Sequence, residues 1–248
     1  MAREKRIQTP GYYYITTHSV DYRNIFIQNR DYSKFLSLLR ALSLKYNFQV
    51  HCYTILVSSY HILIETSEKN LSTIVKFLNS NYSKYFNKTY NREGTLWRAR
   101  YESFYILEIE YLPYFFKYII SIPQLVGATT KLHLYYHSSY RQFIGADKRL
   151  PLLEDSIIFN NFNRINEVEK FFSEQVTKDR IEHICYILKE KRKNGNISLQ
   201  SFFSENQTKK ELHHNIVRAY QHGFSQKEIA IQLNVTQQAI QKKLKKSS

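Results

Sequence analysis

Along the first 145 or so residues the apolar positions switch repeatedly between strand-like and helix-like spacing. Tyr12–Thr17 is dense in aromatic and β-branched residues and predicts a strand. Over Asp31–Tyr46 the apolar residues Phe35, Leu36, Leu38, Leu39 and Leu42 recur at helical spacing, with Asp31 as the expected N-cap. Gln49–Val57 and Tyr60–Thr66 predict two strands joined by a tight Ser58–Ser59 turn. Leu71–Phe86 predicts a second helix with Ile74, Phe77, Leu78 and Tyr82 on one face. A polar loop, Asn87–Thr95, then leads to a strand through Tyr101–Ile109. A third helix over Tyr111–Ser121 is expected to stop before Pro123. The order β-α-β-β-α-β predicts an α+β fold: a ferredoxin-like antiparallel sheet with helices on one face and the other face open to a ligand.

After Leu150 only helical spacing remains. Ile165–Glu174 and Arg180–Arg192 are amphipathic, and Lys193–Asn196 contains a glycine stop. Near the end, Ser225-Gln-Lys-Glu228 has the form of a capping box. Ile229, Ala230 and Leu233 would face inward, Leu233-Asn-Val235 would turn, and Thr236 would cap a last helix buried through Ile240 and Leu244. Such a pair predicts a helix-turn-helix whose second helix enters the major groove of DNA. That helix would present Gln237, Gln238, Gln241, Lys242, Lys243, Lys245 and Lys246: glutamine can read adenine edges, and lysine holds phosphate. The plain alternative is a helical hairpin with a solvated lysine tail. The expected division is 1–148 for the sheet domain, 149–205 for a helical connection and 206–248 for the helix-turn-helix.

Charge narrows the partners. Lys and Arg total 36 against 21 Asp and Glu, a formal +15 with a sequence pI near 9.6. A field of that sign attracts polyanions, nucleic acid before anionic membrane. No apolar run approaches the roughly 20 residues a membrane-spanning helix needs, and the start, MAREKRIQTPG, has no apolar stretch of signal-peptide type, so the cytoplasm is the expected location. Cys52 and Cys185 lie far apart in the sequence and form no motif of metal-binding or redox type. The 21 Tyr and 16 Phe suit stacking on unpaired bases, although AT-rich codon usage produces the same enrichment.

A series of blocks resembles one family in order and spacing. Thr16-Thr17 is followed by Ile25-Phe26, and Asp31-Tyr32-Ser-Lys-Phe35-Leu opens the first helix. Tyr53-Thr-Ile-Leu-Val-Ser-Ser-Tyr-His61-Ile-Leu-Ile-Glu65 covers the strand pair, and Asn70-Leu-Ser begins the second helix, which ends on Tyr82-Ser-Lys-Tyr-Phe86-Asn. Leu96-Trp97-Arg-Ala-Arg100-Tyr-Glu-Ser103, Lys117-Tyr118-Ile119 and Ser138-Ser139-Tyr140 complete the series. From about Gly11 to Gly145, somewhat more than half of the chain, the sequence resembles the REP-associated tyrosine transposases, a branch of the single-tyrosine HUH transposases.

The resemblance implies a particular chemistry. Two histidines one residue apart on a strand, plus a polar residue one turn after the nucleophilic tyrosine, would hold a divalent cation against the scissile phosphate of single-stranded DNA. The tyrosine would attack and form a phosphotyrosine bond. The matching positions here are Ser59-Tyr60-His61, Tyr118 and Ile122, and Val57-Ser58 replaces the usual Pro-Asn. Serine is a poor ligand and isoleucine none, and one imidazole does not suffice for Mg²⁺ or Mn²⁺. His51, on the preceding strand, and His18, in the loop after the first strand, could each approach in space, but neither restores the alternating pair. Tyr118 and His61 are therefore expected as vestigial site residues, with no metal ligand set and no cofactor. Each also has a plain reading, Tyr118 as one tyrosine among many and His61 as a hydrogen-bonded interior histidine.

The expected function is DNA binding without cutting, by a domesticated transposase acting as a transcriptional regulator. Lys84, Lys88, Arg98 and Arg100 would hold single-stranded or hairpin DNA, and the helix-turn-helix would hold duplex, as a homodimer if the site is palindromic. The alternative is an active nickase working through Tyr118 with an altered Mg²⁺ or Mn²⁺ site. RNA binding ranks last, because no ribonucleoprotein-type aromatic motif is evident.

Overall fold

Strands β1 (Gly11–His18), β2 (Phe48–Ile55), β3 (Ser59–Thr66) and β4 (Glu102–Ile106) pair antiparallel in the spatial order β2-β3-β1-β4. They belong to a computed structural model that describes residues 9–106, 109–158, 199–203, 208–221 and 226–245. The chain divides into two compact units, Met1–Cys185 and Tyr186–Ser248, which leaves the limits 1–148, 149–205 and 206–248 as expectations.

Strand alternation gives the sheet of the first unit two different faces. Register sets Ile15 beside Ile62 and Thr17 beside Tyr60, and these residues face helices α1 (Asn29–Tyr46) and α2 (Leu71–Thr89). Their aromatic core includes Phe35, 4.8 Å from Tyr60, and Phe26, 4.8 Å from Tyr82 between ring centroids. Tyr14 and Thr16 point to the opposite face, together with His61, the register partner of Thr16. The sequence predicts that face to be open, but helix α3 (Leu112–Leu125) covers it, setting Phe115 5.9 Å and Tyr118 6.0 Å from the Tyr14 ring. The cause lies in α3 itself, where residues 115–123 are all buried. A helix apolar on nearly every side has to be covered.

Several boundaries differ from expectation for local reasons. Helix α1 starts at Asn29 with Gln28 as its N-cap, so Asp31 is not the cap. Its buried carboxylate instead accepts from the amides of Ile27 and Gln28 and from the hydroxyls of Tyr85 and Tyr90, at 2.7–2.9 Å. In α2 the buried stripe runs through Leu71, Ile74, Val75, Leu78, Tyr82 and Phe86. Phe77 falls at its edge, exposed, and stacks on Tyr46 at 5.9 Å. The β2–β3 turn occupies residues 56–58, closed by the Leu56 amide donating to the Ser59 carbonyl, so Ser59 belongs to the strand. Helix α3 continues through Pro123 to Leu125. The missing donor, a penalty of about 3 kcal/mol in an exposed helix interior, is outweighed by burial of Ile119, Ile120, Ile122 and Pro123. Strand β4 is shorter than predicted, Glu102–Ile106, and Leu107 and Glu108 lie outside the described residues.

Beyond α3, residues 137–139 run along the outer edge of β2. The Ile55 amide donates to the His137 carbonyl and the Ser139 amide to the Tyr53 carbonyl, at 2.9 and 3.0 Å. His137 stacks on Tyr32 of α1 at 3.4 Å, and a one-turn helix α4 (Tyr140–Phe143) follows.

In the second unit the described helices are α5 (Lys209–Gln221), α6 (Gln226–Gln232) and α7 (Gln237–Lys245). Their common core is Ile216, Ala219, Ile229, Ala230 and Ile240, with Leu233 and Leu244 packed at its margin. Asn234, between α6 and α7, takes a left-handed conformation with φ 52°, which asparagine tolerates better than most residues. The helices expected over Ile165–Glu174 and Arg180–Arg192, the glycine stop and the Ser225 cap lie outside the described residues. Among the described residues no helix is long and apolar enough to cross a membrane.

Candidate functional site

The polar residues of the α3-covered face lie in adjacent rows. Thr54, His61 and Thr16 share one register row across β2, β3 and β1; in the next, Ser59 stands opposite His18. Strand parity sends them all to the same side. The His61 ring is held at both nitrogens, by the Tyr14 hydroxyl at Nδ1 (2.8 Å) and by the Ser59 hydroxyl at Nε2 (3.3 Å). Burial pushes the His61 imidazole down to about 3, and neighbouring His18 pushes in the same direction. The ring is therefore neutral, one nitrogen donating and the other accepting.

Tyr118 comes into this group through Tyr14. Its ring meets Tyr14 edge-on at 6.0 Å, and the Tyr14 ring also lies 6.1 Å from His61. The two residues expected from the sequence thus share Tyr14 as an aromatic neighbour. Tyr118 is itself buried. One turn later Ile122 is buried hydrocarbon.

A divalent ion of the kind the resemblance implies does not fit these residues. Ser59 is bonded to His61, the second imidazole nitrogen is bonded to Tyr14, and Ile122 offers no donor atom. Mg²⁺ and Mn²⁺ prefer several oxygen ligands in open geometry. Among the described residues no three His, Cys, Asp or Glu side chains are grouped to hold a metal. His18 approaches His61 with ring centroids 6.0 Å apart, from the last position of β1 rather than from the loop after it. His51 does not approach. It sits at a β2 irregularity, its ring 5.5 Å from Tyr12 and its Nε2 3.3 Å from the Glu65 carboxylate.

The expected basic residues are dispersed. Lys84 and Lys88 are exposed on α2, over the face opposite His61. Arg98 is exposed but anchored, its amide donating to the His18 carbonyl and its guanidinium to the Tyr22 hydroxyl at 2.7 Å. Arg100 is exposed in the segment before β4. Two further arginines, Arg23 and Arg92, line a cavity of about 240 Å³ floored by Ile25, Ile27, Phe86 and Leu96. In the second unit Gln237, Gln238, Gln241 and Lys242 are exposed on α7, and the Ala239 amide donates to the Thr236 hydroxyl at 3.3 Å. Lys245 ends α7, and its side chain lies outside the described residues.

Sequence reasoning missed Tyr14 and Thr16 as neighbours of His61 and named His18 only as a histidine able to approach in space. Their alternation along β1 was visible, but their place beside His61 depends on inter-strand register, which one strand's sequence does not state.

Comparison with known proteins bears on the first unit. Residues 9–121 match the family described as IS200-like transposases. A solved REP-associated tyrosine transposase bound to a REP hairpin is similar at a TM-score of 0.51 and 15% identity, over 61% of this chain and 90% of that one. A structure described as a transposase from Deinococcus radiodurans R1 matches at 12% identity, over 52% of this chain and 97% of that one, with a TM-score of 0.35. No curated protein matches significantly.

Proposed function

With residues 9–121 placed in the IS200-like transposase family, we propose that the protein binds DNA without cutting it and serves as a DNA-binding regulator. The observation that carries this reading is the closed Tyr14–His61–Ser59 hydrogen-bond set beside buried Ile122, where the family chemistry needs metal ligands. The formal charge of +15 supports a polyanionic partner. The REP-associated relative was solved with a hairpin, and single-stranded or hairpin DNA is accordingly the first substrate class to test. Lys84, Lys88, Arg98 and Arg100 would hold its phosphates. Helices α6 and α7 would act as a helix-turn-helix on duplex DNA, through Gln237, Gln238 and Gln241 on bases and Lys242 and Lys245 on phosphates.

A second reading keeps the chemistry, with Tyr118 as nucleophile. The approach of both Tyr118 and His61 to the Tyr14 ring favours it. One experiment separates the two. The full chain is incubated with labelled hairpin oligonucleotides in Mg²⁺, Mn²⁺ or EDTA and run on native and denaturing gels. A native shift with no covalent band under any condition is the expected result. A metal-dependent covalent band that disappears in Tyr118→Phe would establish the nickase and overturn the first reading.

A further inference from the structure

We propose that the cavity beside Arg23 and Arg92 takes one unstacked base of a single-stranded DNA, with the adjoining phosphate on the two arginines. This deepens the DNA-binding reading and rests on it. The cavity is built from the loop after β1, the last turn of α2 and the loop that follows α2. Phe86, part of its apolar floor, belongs to the buried stripe of α2, which packs on the face of the sheet opposite His61. The place is therefore separate from the Tyr14–His61–Ser59 set. At about 240 Å³ it is smaller than the roughly 300–1,000 Å³ that encloses a whole small molecule, and it suits a single planar ring.

The lining has the two parts that a nucleotide needs. Ile25, Phe86 and Leu96 offer apolar surface to a ring, and Tyr90, 4.6 Å from Phe86 between centroids, offers an aromatic one. Contact of this kind tolerates any sequence, because every base has a π-face. Asn24 brings an amide, able to donate and to accept at a base edge. Arg23 pairs with exposed Asp21 at 2.9 Å, and Arg92 sets two nitrogens on one carbonyl, that of Thr95, at 3.3 and 3.4 Å. A guanidinium carries five donors, so these partners leave both arginines with capacity for phosphate oxygens.

The wall of the cavity is held in a conformation that packing alone does not favour. Asp21 and Tyr22 are both left-handed, with φ 53° and 52°, which for a residue as bulky as tyrosine is strained. Strain of this sort persists where surrounding bonds impose it, and it concentrates in ligand-holding loops. Here the Ser19 hydroxyl donates to the Arg23 carbonyl at 2.6 Å, the Val20 amide to the Leu96 carbonyl at 3.0 Å and Arg98 to the Tyr22 hydroxyl at 2.7 Å. The cations also continue past the cavity. Arg30 lies 5.6 Å over the Tyr90 ring, and Lys34, one turn along α1, lies 5.9 Å over the Tyr85 ring, both rings being fixed by Asp31. A free nucleotide needs one phosphate site, whereas cations at successive turns match the repeated phosphates of a strand.

The test uses the full chain and single-stranded oligodeoxynucleotides that each carry one 5-iododeoxyuridine, placed at successive positions. Light-driven crosslinks to aromatic side chains are mapped by mass spectrometry, and they should fall on Tyr90 or Phe86. Ile27→Glu, at a half-exposed position, sets a carboxylate in the lining. It should lose that crosslink and weaken binding about tenfold, or 1.4 kcal/mol, within the range for one base–aromatic contact. Arg23→Ala should weaken binding about threefold and lower the slope of log affinity against log salt by about one. Lys76→Ala removes an exposed cation about 15 Å before Phe86 along α2 and should keep both the crosslink and the affinity. An equal loss in Lys76→Ala would mean that net charge alone counts and would overturn the cavity. Crosslinks that lie elsewhere, in a parent protein that still binds, would overturn it too and leave the DNA-binding reading standing. Failure of the parent to bind any single-stranded or hairpin DNA would remove both. Loss of the crosslink to equimolar dAMP would assign the cavity to a free nucleotide and reject the strand. Should Ile27→Glu not fold, Arg23→Ala and the crosslink map of the parent decide the matter.

Discussion

The two faces of the sheet are cut from the same strands yet treat their polar atoms in opposite ways. Under α1 and α2, the Tyr60 hydroxyl donates to Asn79 at 2.8 Å, the Tyr82 hydroxyl to the Ile25 carbonyl at 2.7 Å and the Trp97 indole to the Asn79 carbonyl at 3.1 Å. Asp31 gathers four donors at once. Under α3, the row Thr54–His61–Thr16 keeps two hydroxyls without partners. On the first face the tyrosine and tryptophan donors named above are paired within the chain. The second retains polar groups that the fold does not use, in the place where the family resemblance locates its chemistry. Unpaired buried hydroxyls are a cost to folding, and they mark the face whose composition answers to something other than packing.

The largest expected effect tests the paired face. Asp31→Ala strands two amides and two tyrosine hydroxyls and should destabilise the first unit by about 3–5 kcal/mol, measured by urea denaturation. A loss under about 1 kcal/mol would mean that water replaces the carboxylate without difficulty. The same group predicts a pH response. Burial alone would push the Asp31 carboxyl up, but the Gln28 and Ile27 amides and the Tyr90 and Tyr85 hydroxyls outweigh it and hold it below its ordinary value. Its contribution is therefore complete above the unfolded-state value, near pH 4, and falls away as pH drops through the lower folded value. Urea midpoints between pH 3 and 7 should fall in acid for the parent protein and change less for Asp31→Asn.

A matched pair of smaller changes tests the comparison itself. Tyr82→Phe removes a satisfied hydroxyl and should cost about 1 kcal/mol. Thr16→Val replaces an unsatisfied one with a side chain of similar shape and should be neutral or stabilising by up to about 1 kcal/mol in EDTA. Equal losses in the two variants would erase the distinction between the faces. The smallest effect is expected at Tyr118. Because Tyr118 is buried, Tyr118→Phe should change hairpin affinity by less than about threefold, or 0.6 kcal/mol. A larger loss in gel-shift titrations would place its hydroxyl against the nucleic acid.

What the sequence disclosed and what it withheld follow one division. Strands over Tyr12–Thr17 and Tyr60–Thr66 were legible because spacing within a segment is a local property. The helix through Pro123 was not, since a rule about one residue's missing donor yielded to tertiary burial. Phe77 was assigned to the core on hydrophobicity, but the buried stripe advances through Val75 instead. His61 and Tyr118 were named as candidates by their place in a known order of blocks. Tyr14 and Thr16 were invisible beside His61 because inter-strand register joins them.

The segment 137–139 has a consequence for self-association. By bonding to Tyr53 and Ile55 it occupies the hydrogen-bonding groups that another chain's strand would need along β2. An unprotected outer strand is a template for chain-to-chain pairing. Here that template is filled from within, and a newcomer would first have to strip away His137 and its stack on Tyr32. The opposite border differs: among the described residues β4 pairs only with β1, over five residues. Any continuous sheet built across two copies would have to be joined along that short strand.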